Sequence, residues 1–380
     1  MRNIFISLIF IFLVSWAPDF VYSQANTNTS SQITSSDMES YVTFIASPLL
    51  KGRKNGEAGL EIAALYIASQ AKLTGLKPAD GNSYFQSYSV MKKVRNPKFP
   101  PMQLILKNKD TIIINEPRDQ LVPTDPSFIL PEGSVAMELN NVAGYIEGSD
   151  SILKNEVIVF SCHYDHIGTS GSRVNPGADD DASGCAALLS IAKAFQSLEK
   201  KPLRSILFLW LSGEEIGLFG SEAYIREPLF PLEKTIADLN IDMIGRDKES
   251  IDSTSDTPMT GLNSVFVITD NQSKELSEIA NEADSGSVLN FDYSLSGRYH
   301  PLHLFARSDH YNFVKKDIPI LCFTTGIHSD YHTSGDVFNK LDFKKMELIA
   351  RTAYQIGLTI ANRKTRLIID NPFSSWEKNK

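Results

Sequence analysis

Cysteine is scarce in this chain, with three among 380 residues. An odd count cannot pair completely, so a disulfide-stapled scaffold is excluded. Cys162 and Cys322 lie in apolar, strand-like runs and Cys185 in the first turn of a helix, settings that suit buried free thiols. Basic charge is short as well: Lys+Arg 37 against Asp+Glu 45 give a net charge of -8. Nucleic acid is excluded as a partner, because neutralising phosphates needs a basic face that is missing. Long hydrophobic runs are absent except at the N-terminus, where Arg2, apolar Ile4 to Trp16 and then Val21-Tyr22-Ser23 form the pattern of a signal peptide over 1–23. That run falls short of the ~20 residues a bilayer span needs. A secreted or periplasmic protein is expected, cleaved near Ser23 and without stable membrane association.

What is present is an ordinary globular composition, 42% hydrophobic and 22% charged, enough for one large core or one core with a small satellite. Residues 24–36 are polar and aperiodic and read as a disordered leader, with a glycosylation sequon at Asn28-Thr29-Ser30. Helices are expected over 37–46, capped at Asp37, and over 59–73, stopped by Gly75. Between about 88 and 141 the texture becomes β-rich, with strands at 102–106 and 111–115. This stretch reads either as a small insertion or as edge strands of the main sheet. From Asn141 on, strands alternate with helices: strands at 142–146, 157–161, 205–211, 236–241, 265–268 and 318–323, helices at 184–197, 221–226, 274–284 and 343–362. Such alternation predicts an α/β fold, a mixed and mostly parallel central sheet with helices on both faces. Residues 364–380 form a C-terminal tail.

The chemistry gathers at the ends of these strands. His163-Tyr164-Asp165-His166 follows one of them and leads through Gly177-Ala178-Asp179-Asp180-Asp181-Ala182-Ser183-Gly184 into a helix. Open α/β sheets place ligand sites in such positions. Three further strands run into Ser212-Gly213-Glu214-Glu215, into Asp242-Met243-Ile244-Gly245, and into a loop holding His328, Asp330, Tyr331 and His332. Mixed nitrogen and oxygen donors suit zinc, whereas calcium and magnesium prefer oxygen alone. Carboxylates beyond the needs of one zinc suggest two, ~3.5–4 Å apart, sharing an aspartate. Each piece alone is weak, since Glu-Glu at a helix start is commonly a solvated or capping pair. A cysteine nucleophile would compete with these candidate ligands. Ser183 lacks the nucleophile-elbow sequence and reads as a helix cap.

Taken in order, His163 to Gly168, Gly177 to Gly184, Ser212 to Ser221, Asn240 to Gly245, Arg307 to Tyr311 and Asp330 to Thr333 resemble the secreted co-catalytic di-zinc aminopeptidases. These are relatives of the plasma glutamate carboxypeptidases and of the transferrin receptor ectodomain. The resemblance covers about residues 40 to 360 and implies a zinc peptidase domain over 37–363. It implies two Zn2+ per chain: His163 and Asp242 on one, Glu215 and His332 on the other, Asp180 bridging. Glu214 would be the general base, Tyr331 a helper for the developing oxyanion, and Asp165 an acceptor that orients His163. The family more often carries asparagine where Asp181 stands. The resemblance gives His166, His300, His303, His310 and His328 no ligand position, and it brings Asp309 and His310 nearest the site.

The implied activity is an aminopeptidase removing residues from peptide N-termini. A carboxypeptidase or dipeptidase on the same fold is the alternative, because the zinc residues serve either polarity. A single-zinc glutaminyl cyclase and a non-enzymatic binding ectodomain are the more distant readings, and the latter predicts lost ligands that are all filled here. Side-chain preference is expected to reside in 88–141 and in the loop Ser285 to His303.

Overall fold

The computed structural model describes residues 29–92, 102–105, 111–115, 120–123, 135–248, 257–269 and 271–377. The expected signal peptide over 1–23, its expected cleavage position and the sequon asparagine Asn28 lie outside the described residues.

The strands are β1 (Lys77–Pro78), β2 (Phe85–Lys92), β3 (Met102–Ile105), β4 (Thr111–Asn115), β5 (Gln120–Pro123), β6 (Val135–Ile146), β7 (Val157–His163), β8 (Thr169–Ser170), β9 (Arg173–Val174), β10 (Ser205–Leu211), β11 (Thr235–Ile241), β12 (Ser264–Ile268), β13 (Asn290–Asp292) and β14 (Ile320–Thr324). The helices are α1 (Ser35–Ile45), α2 (Ala58–Thr74), α3 (Gly184–Gln196), α4 (Phe219–Arg226), α5 (Lys274–Ser285), α6 (His310–Val314), α7 (Phe343–Asn362) and α8 (Phe373–Glu377).

Twelve strands form one sheet in the order β13, β12, β14, β11, β7, β10, β6, β2, β3, β4, β5, with β1 also on β6. Its centre, β14, β11, β7 and β10, is parallel, while β6 and everything beyond it run antiparallel. The mixed sheet with a parallel centre agrees with the fold expected from strand and helix alternation. The boundaries 88 and 141 fall inside β2 and β6, which pair along their whole length from Phe85↔Val142 to Lys92↔Val135. The strands between them carry the main sheet onward, as in the edge-strand reading.

The central strands read as unbroken apolar runs because both faces are covered. On β7, Ile158, Phe160 and Cys162 join one core while Val157 and Val159 join the other. On β10, Ile206, Phe208 and Trp210 divide in the same way from Leu207, Leu209 and Leu211. The larger core takes the apolar faces of α1, α2, α3, α5 and α7, the smaller one that of α6, and α4 divides between them, with Phe219 and Ala223 in the larger and Tyr224 and Ile225 in the smaller. No helix among the described residues is long and apolar enough to cross a membrane.

Local chemistry moved several boundaries. Helix α1 starts two residues early, because the Thr34 hydroxyl caps it by accepting from the Asp37 amide at 3.1 Å. The Asp37 carboxylate accepts from Lys193 Nζ instead. Residues 29–36 depart from the expected disordered leader: Ile33 is fully buried, and its carbonyl accepts from Arg351. Strand β14 begins at Ile320 rather than 318, since Pro319 has no amide to give the ladder.

Candidate metal centre

In parallel pairing the strand ends fall level, with His163 opposite Leu211 and Ile241 opposite Phe323. The residues that follow therefore meet at one edge of the sheet. The fifth contributor comes from the turn Ala178–Ser183 that feeds α3 and contains a cis peptide bond between Asp180 and Asp181. Gly177 enters this turn at φ +60, where a Cβ would stand 2.2 Å from the Asp180 carbonyl oxygen. A side chain there is excluded by contact and by backbone conformation together.

The five candidate ligands converge. His163 Nε2 lies 3.1 Å from Asp180 Oδ1 and 3.7 Å from Asp242 Oδ1. His332 Nε2 lies 3.1 Å from Asp180 Oδ2 and 3.1 Å from Glu215 Oε2. The two oxygens of Asp180 thus face two different histidines, each with its own further carboxylate. Donor atoms of His166, Asp180, Glu215 and His332 form one group within 4.8 Å, and those of His163, Asp181 and Asp242 form another.

The hydrogen bonds around them leave the right atoms free. His163 Nδ1 lies 3.1 Å from the Asp165 backbone oxygen, which can only accept, so Nδ1 carries a proton and Nε2 is the ring atom turned to the carboxylates. The Asp165 carboxylate is 3.7 Å from the same ring and serves chiefly elsewhere. It accepts from Asn55 Nδ2 at 2.6 Å and from the backbone amides of Glu214 and Glu215 at 3.1 and 3.2 Å, which pins the turn carrying both glutamates. The donor set is short of positive charge. Burial alone would depress the His332 imidazole, yet the Asp180 and Glu215 carboxylates, each 3.1 Å from Nε2, hold it up at about 9. His163, buried beside Asp165, Asp180 and Asp242, is likewise pushed well up. Dications between these groups would supply that charge, so residues and metal fit.

Glu214 reaches the same cleft. Burial, then the opposing pull of His163, then the neighbouring carboxylates Glu215, Asp309 and Asp242, leave it well above the usual glutamate range. Tyr331 stacks on His332 with ring centroids 3.8 Å apart, and its hydroxyl accepts from Arg307 Nη2 at 3.3 Å.

The aspartates flanking Asp180 hold the backbone. Asp181 accepts from the amides of His163, Gly184 and Met243 at 3.3, 2.8 and 3.2 Å, tying three segments of the site together. Asp179 Oδ1 accepts from the Gly245 amide at 2.6 Å, and His328 Nε2 lies 3.4 Å from its other oxygen. Ser183 does not cap α3 through its side chain: its hydroxyl donates to the Asp179 carbonyl and accepts from the Ile244 amide, and Asp181 provides the capping oxygen at Gly184. His166, given no ligand position by the resemblance, places Nδ1 2.8 Å from Glu215 Oε1 and 3.6 Å from Asp180 Oδ2. His300 and His303 belong to neither donor group. His310 bonds the Phe305 carbonyl and is held down to about 4 by burial, so its ring is neutral.

Two participants left no mark in the sequence. Arg53 is fully buried, and its guanidinium donates to the carbonyls of Ile45, Tyr164, Pro176, Gly177 and Asp180. Asp336 accepts from the amides of Asp179 and Asp180. Above the metal residues opens a cleft of about 530 Å³ walled by Met243, Ile268, Leu304, Arg307, Cys322 and Ile327. None of its described lining residues comes from 88–141 or from 285–303, where side-chain preference was expected. Its walls rise from β12, β14 and the segment after His303, because these flank the strand ends that carry the metal residues. All three cysteines are buried and free, with Cys162 Sγ 3.8 Å from Cys185 Sγ.

Known proteins are similar to parts of this chain. Leucine aminopeptidase 1 of Sclerotinia sclerotiorum is 30% identical over 243 residues, 59% of this chain and 57% of that protein. A vacuolar membrane protease of Lodderomyces elongisporus is 36% identical over 102 residues, 27% of this chain, and the match spans only 10% of that protein. The fold is similar to that of an aminopeptidase from Aneurinibacillus sp. strain AM-1, with a TM-score of 0.62 at 17% identity, covering 91% of this chain and 98% of the other. Residues 141–357 match the profile of peptidase family M28, and this stretch holds all seven residues singled out as ligands or catalytic groups. The chain belongs to peptidase family M28.

Proposed function

We propose that this protein is a zinc-dependent exopeptidase, and specifically an aminopeptidase that hydrolyses N-terminal residues from peptides. His163 and Asp242 would hold one zinc, Glu215 and His332 the other, and Asp180 both. The observation that carries the reading is the division of the Asp180 carboxylate, one oxygen 3.1 Å from His163 and the other 3.1 Å from His332. Bound there, zinc would supply Lewis acidity, polarising the scissile carbonyl and bringing the pKa of a water toward about 7.

The chain's own groups do the rest. Glu214, raised in basicity and held in place through its amide by Asp165, takes the proton of the attacking water and hands it to the leaving amine. Tyr331, fixed by its stack on His332, turns its hydroxyl to the developing oxyanion. Asp165 keeps the Glu214–Glu215 turn in register, and the apolar cleft walls hold the departing side chain and exclude water. The N-terminal apolar segment supports export, so the working compartment would lie outside the cytoplasm.

The test combines a zinc assay with hydrolysis of aminoacyl-anilides and N-blocked peptides. Two zinc ions per chain and cleavage of unblocked substrates alone are expected. Cleavage of blocked peptides from the C-terminus would contradict the aminopeptidase polarity and favour a carboxypeptidase.

A further inference from the structure

One charged side chain stands in the apolar wall of the cleft. Arg307 shares that wall with Met243, Ile268, Leu304 and Ile327. Its guanidinium donates to the Tyr331 hydroxyl at 3.3 Å and lies 5.9 Å from that ring's centroid. Among the described residues no carboxylate stands within ion-pair distance of it. Several other arginines of this chain are paired with carboxylates: Arg204 with Glu156 at 2.7 Å, Arg226 with Glu222 at 2.6 Å, Arg246 with Asp330 at 2.9 Å and Arg363 with Glu275 at 2.8 Å.

A guanidinium carries five donors in a planar fork that matches a carboxylate. The tyrosine hydroxyl occupies one, and among the described residues no second side-chain hydrogen-bond partner of Arg307 is found. Half-buried beside apolar surface, the unpaired charge has lost part of its hydration without a compensating anion. The acidic residues on the cleft floor, Asp180, Glu214 and Asp242, do not meet it. The group that completes Arg307 comes with the ligand.

Resting on the exopeptidase reading above, we propose that Arg307 is a specificity residue that pairs with a carboxylate carried by the peptide substrate. That carboxylate has two possible sources, an acidic side chain on the residue removed or the C-terminal carboxylate of a dipeptide. In either case the substrate class is anionic, seated with its apolar parts against the cleft wall and its charge on the Arg307 fork.

The experiment compares wild type with Arg307→Gln and Arg307→Lys, all zinc-loaded, on two matched pairs: glutamyl- against leucyl-anilide, and the dipeptide Leu-Leu against its C-terminal amide. Loss of a charge-assisted hydrogen bond predicts that Arg307→Gln lowers the charged-to-neutral ratio of kcat/KM at least about tenfold in one pair, with Arg307→Lys restoring part of it. The first pair responding identifies the side chain, the second the chain terminus. Unchanged ratios in both pairs, including a uniform fall on all four substrates, would overturn the proposal. Equilibrium binding of free glutamate against glutamine, and of Leu-Leu against its amide, reads the same discrimination without turnover. If wild type hydrolyses nothing, the exopeptidase reading fails. Arg307 is then decided by whether Arg307→Gln erases the Kd preference for the carboxylate ligand.

Discussion

Asp238 shows how one side chain sets a pH response away from the chemistry. It lies in β11 with no exposure, and its Oδ1 accepts from Ser161 Oγ at 2.7 Å, while Oδ2 has no hydrogen-bond partner among the described residues. Burial, working against that hydrogen bond, pushes its carboxyl well above the usual aspartate range. A carboxyl whose folded pKa is raised contributes stability that is complete below the unfolded value of about 3.9 and lost as pH rises through the folded value. Asn at this position keeps the shape and the acceptor but cannot ionise. Asp238→Asn is therefore expected to be increasingly more stable than wild type as pH rises from about 4, read as a widening gap in Tm between the two. A gap independent of pH would contradict this account. At the same scale, His163, Glu215, Asp242 and His332 stood out in the sequence at or just beyond strand ends, whereas Asp180 lies in the turn that feeds α3 and the ligand assignment came from the resemblance of the motifs. Asp179 and Asp181 were legible as residues but not as roles, since their partners are backbone amides of Gly245, Met243 and Gly184.

Among the elements, the turn at Ala178–Ser183 and the segment 51–55 depend on each other. Arg53 sits at φ 45 and reaches from the end of α1, through the Ile45 carbonyl, to the carbonyls of Pro176 and Gly177 leading into the metal turn and of Asp180 within it. Backbone carbonyls carry no residue identity, which is why nothing in the sequence distinguished Arg53 from the exposed Lys51 and Lys54 beside it. Methionine would fill much of the volume but take the guanidinium away from five buried carbonyls, of which Gly177 keeps the Ala182 amide as a donor. Arg53→Met is expected to cost at least about 3 kcal/mol in urea unfolding and to weaken zinc retention. Wild-type stability with wild-type zinc content would show that the turn holds itself. Strands β7 and β10 and helix α7 were readable because burial on two faces and a long 3.6-residue period leave strong patterns. Strand β13 and helix α6 were not, being too short to display a period.

For the whole molecule, the parallel centre of the sheet delivers four chain segments to one edge, and the α3 turn adds the fifth. Such an edge concentrates Asp180, Glu214, Glu215 and Asp242, whose mutual repulsion opposes folding unless cations intervene. Metal that binds only the folded chain stabilises it by mass action. Chelation is therefore expected to lower Tm by at least about 3 °C and zinc to restore it. A Tm indifferent to chelator would contradict a metal-coupled core. The large-scale plan was legible from alternation of strands and helices, but the reach of the sheet through β2 to β5 was not, because an antiparallel flank gives the same local pattern as a detached hairpin.

In the proposed mechanism two metals sit around Asp180 and Glu214 acts as the base. The most direct test is the rate of leucyl-anilide hydrolysis by Glu214→Gln, measured on protein whose zinc content has been determined. Two zinc ions per chain with a rate reduced by about 10²–10⁴ is the predicted result. Wild-type rate at full zinc occupancy would contradict it.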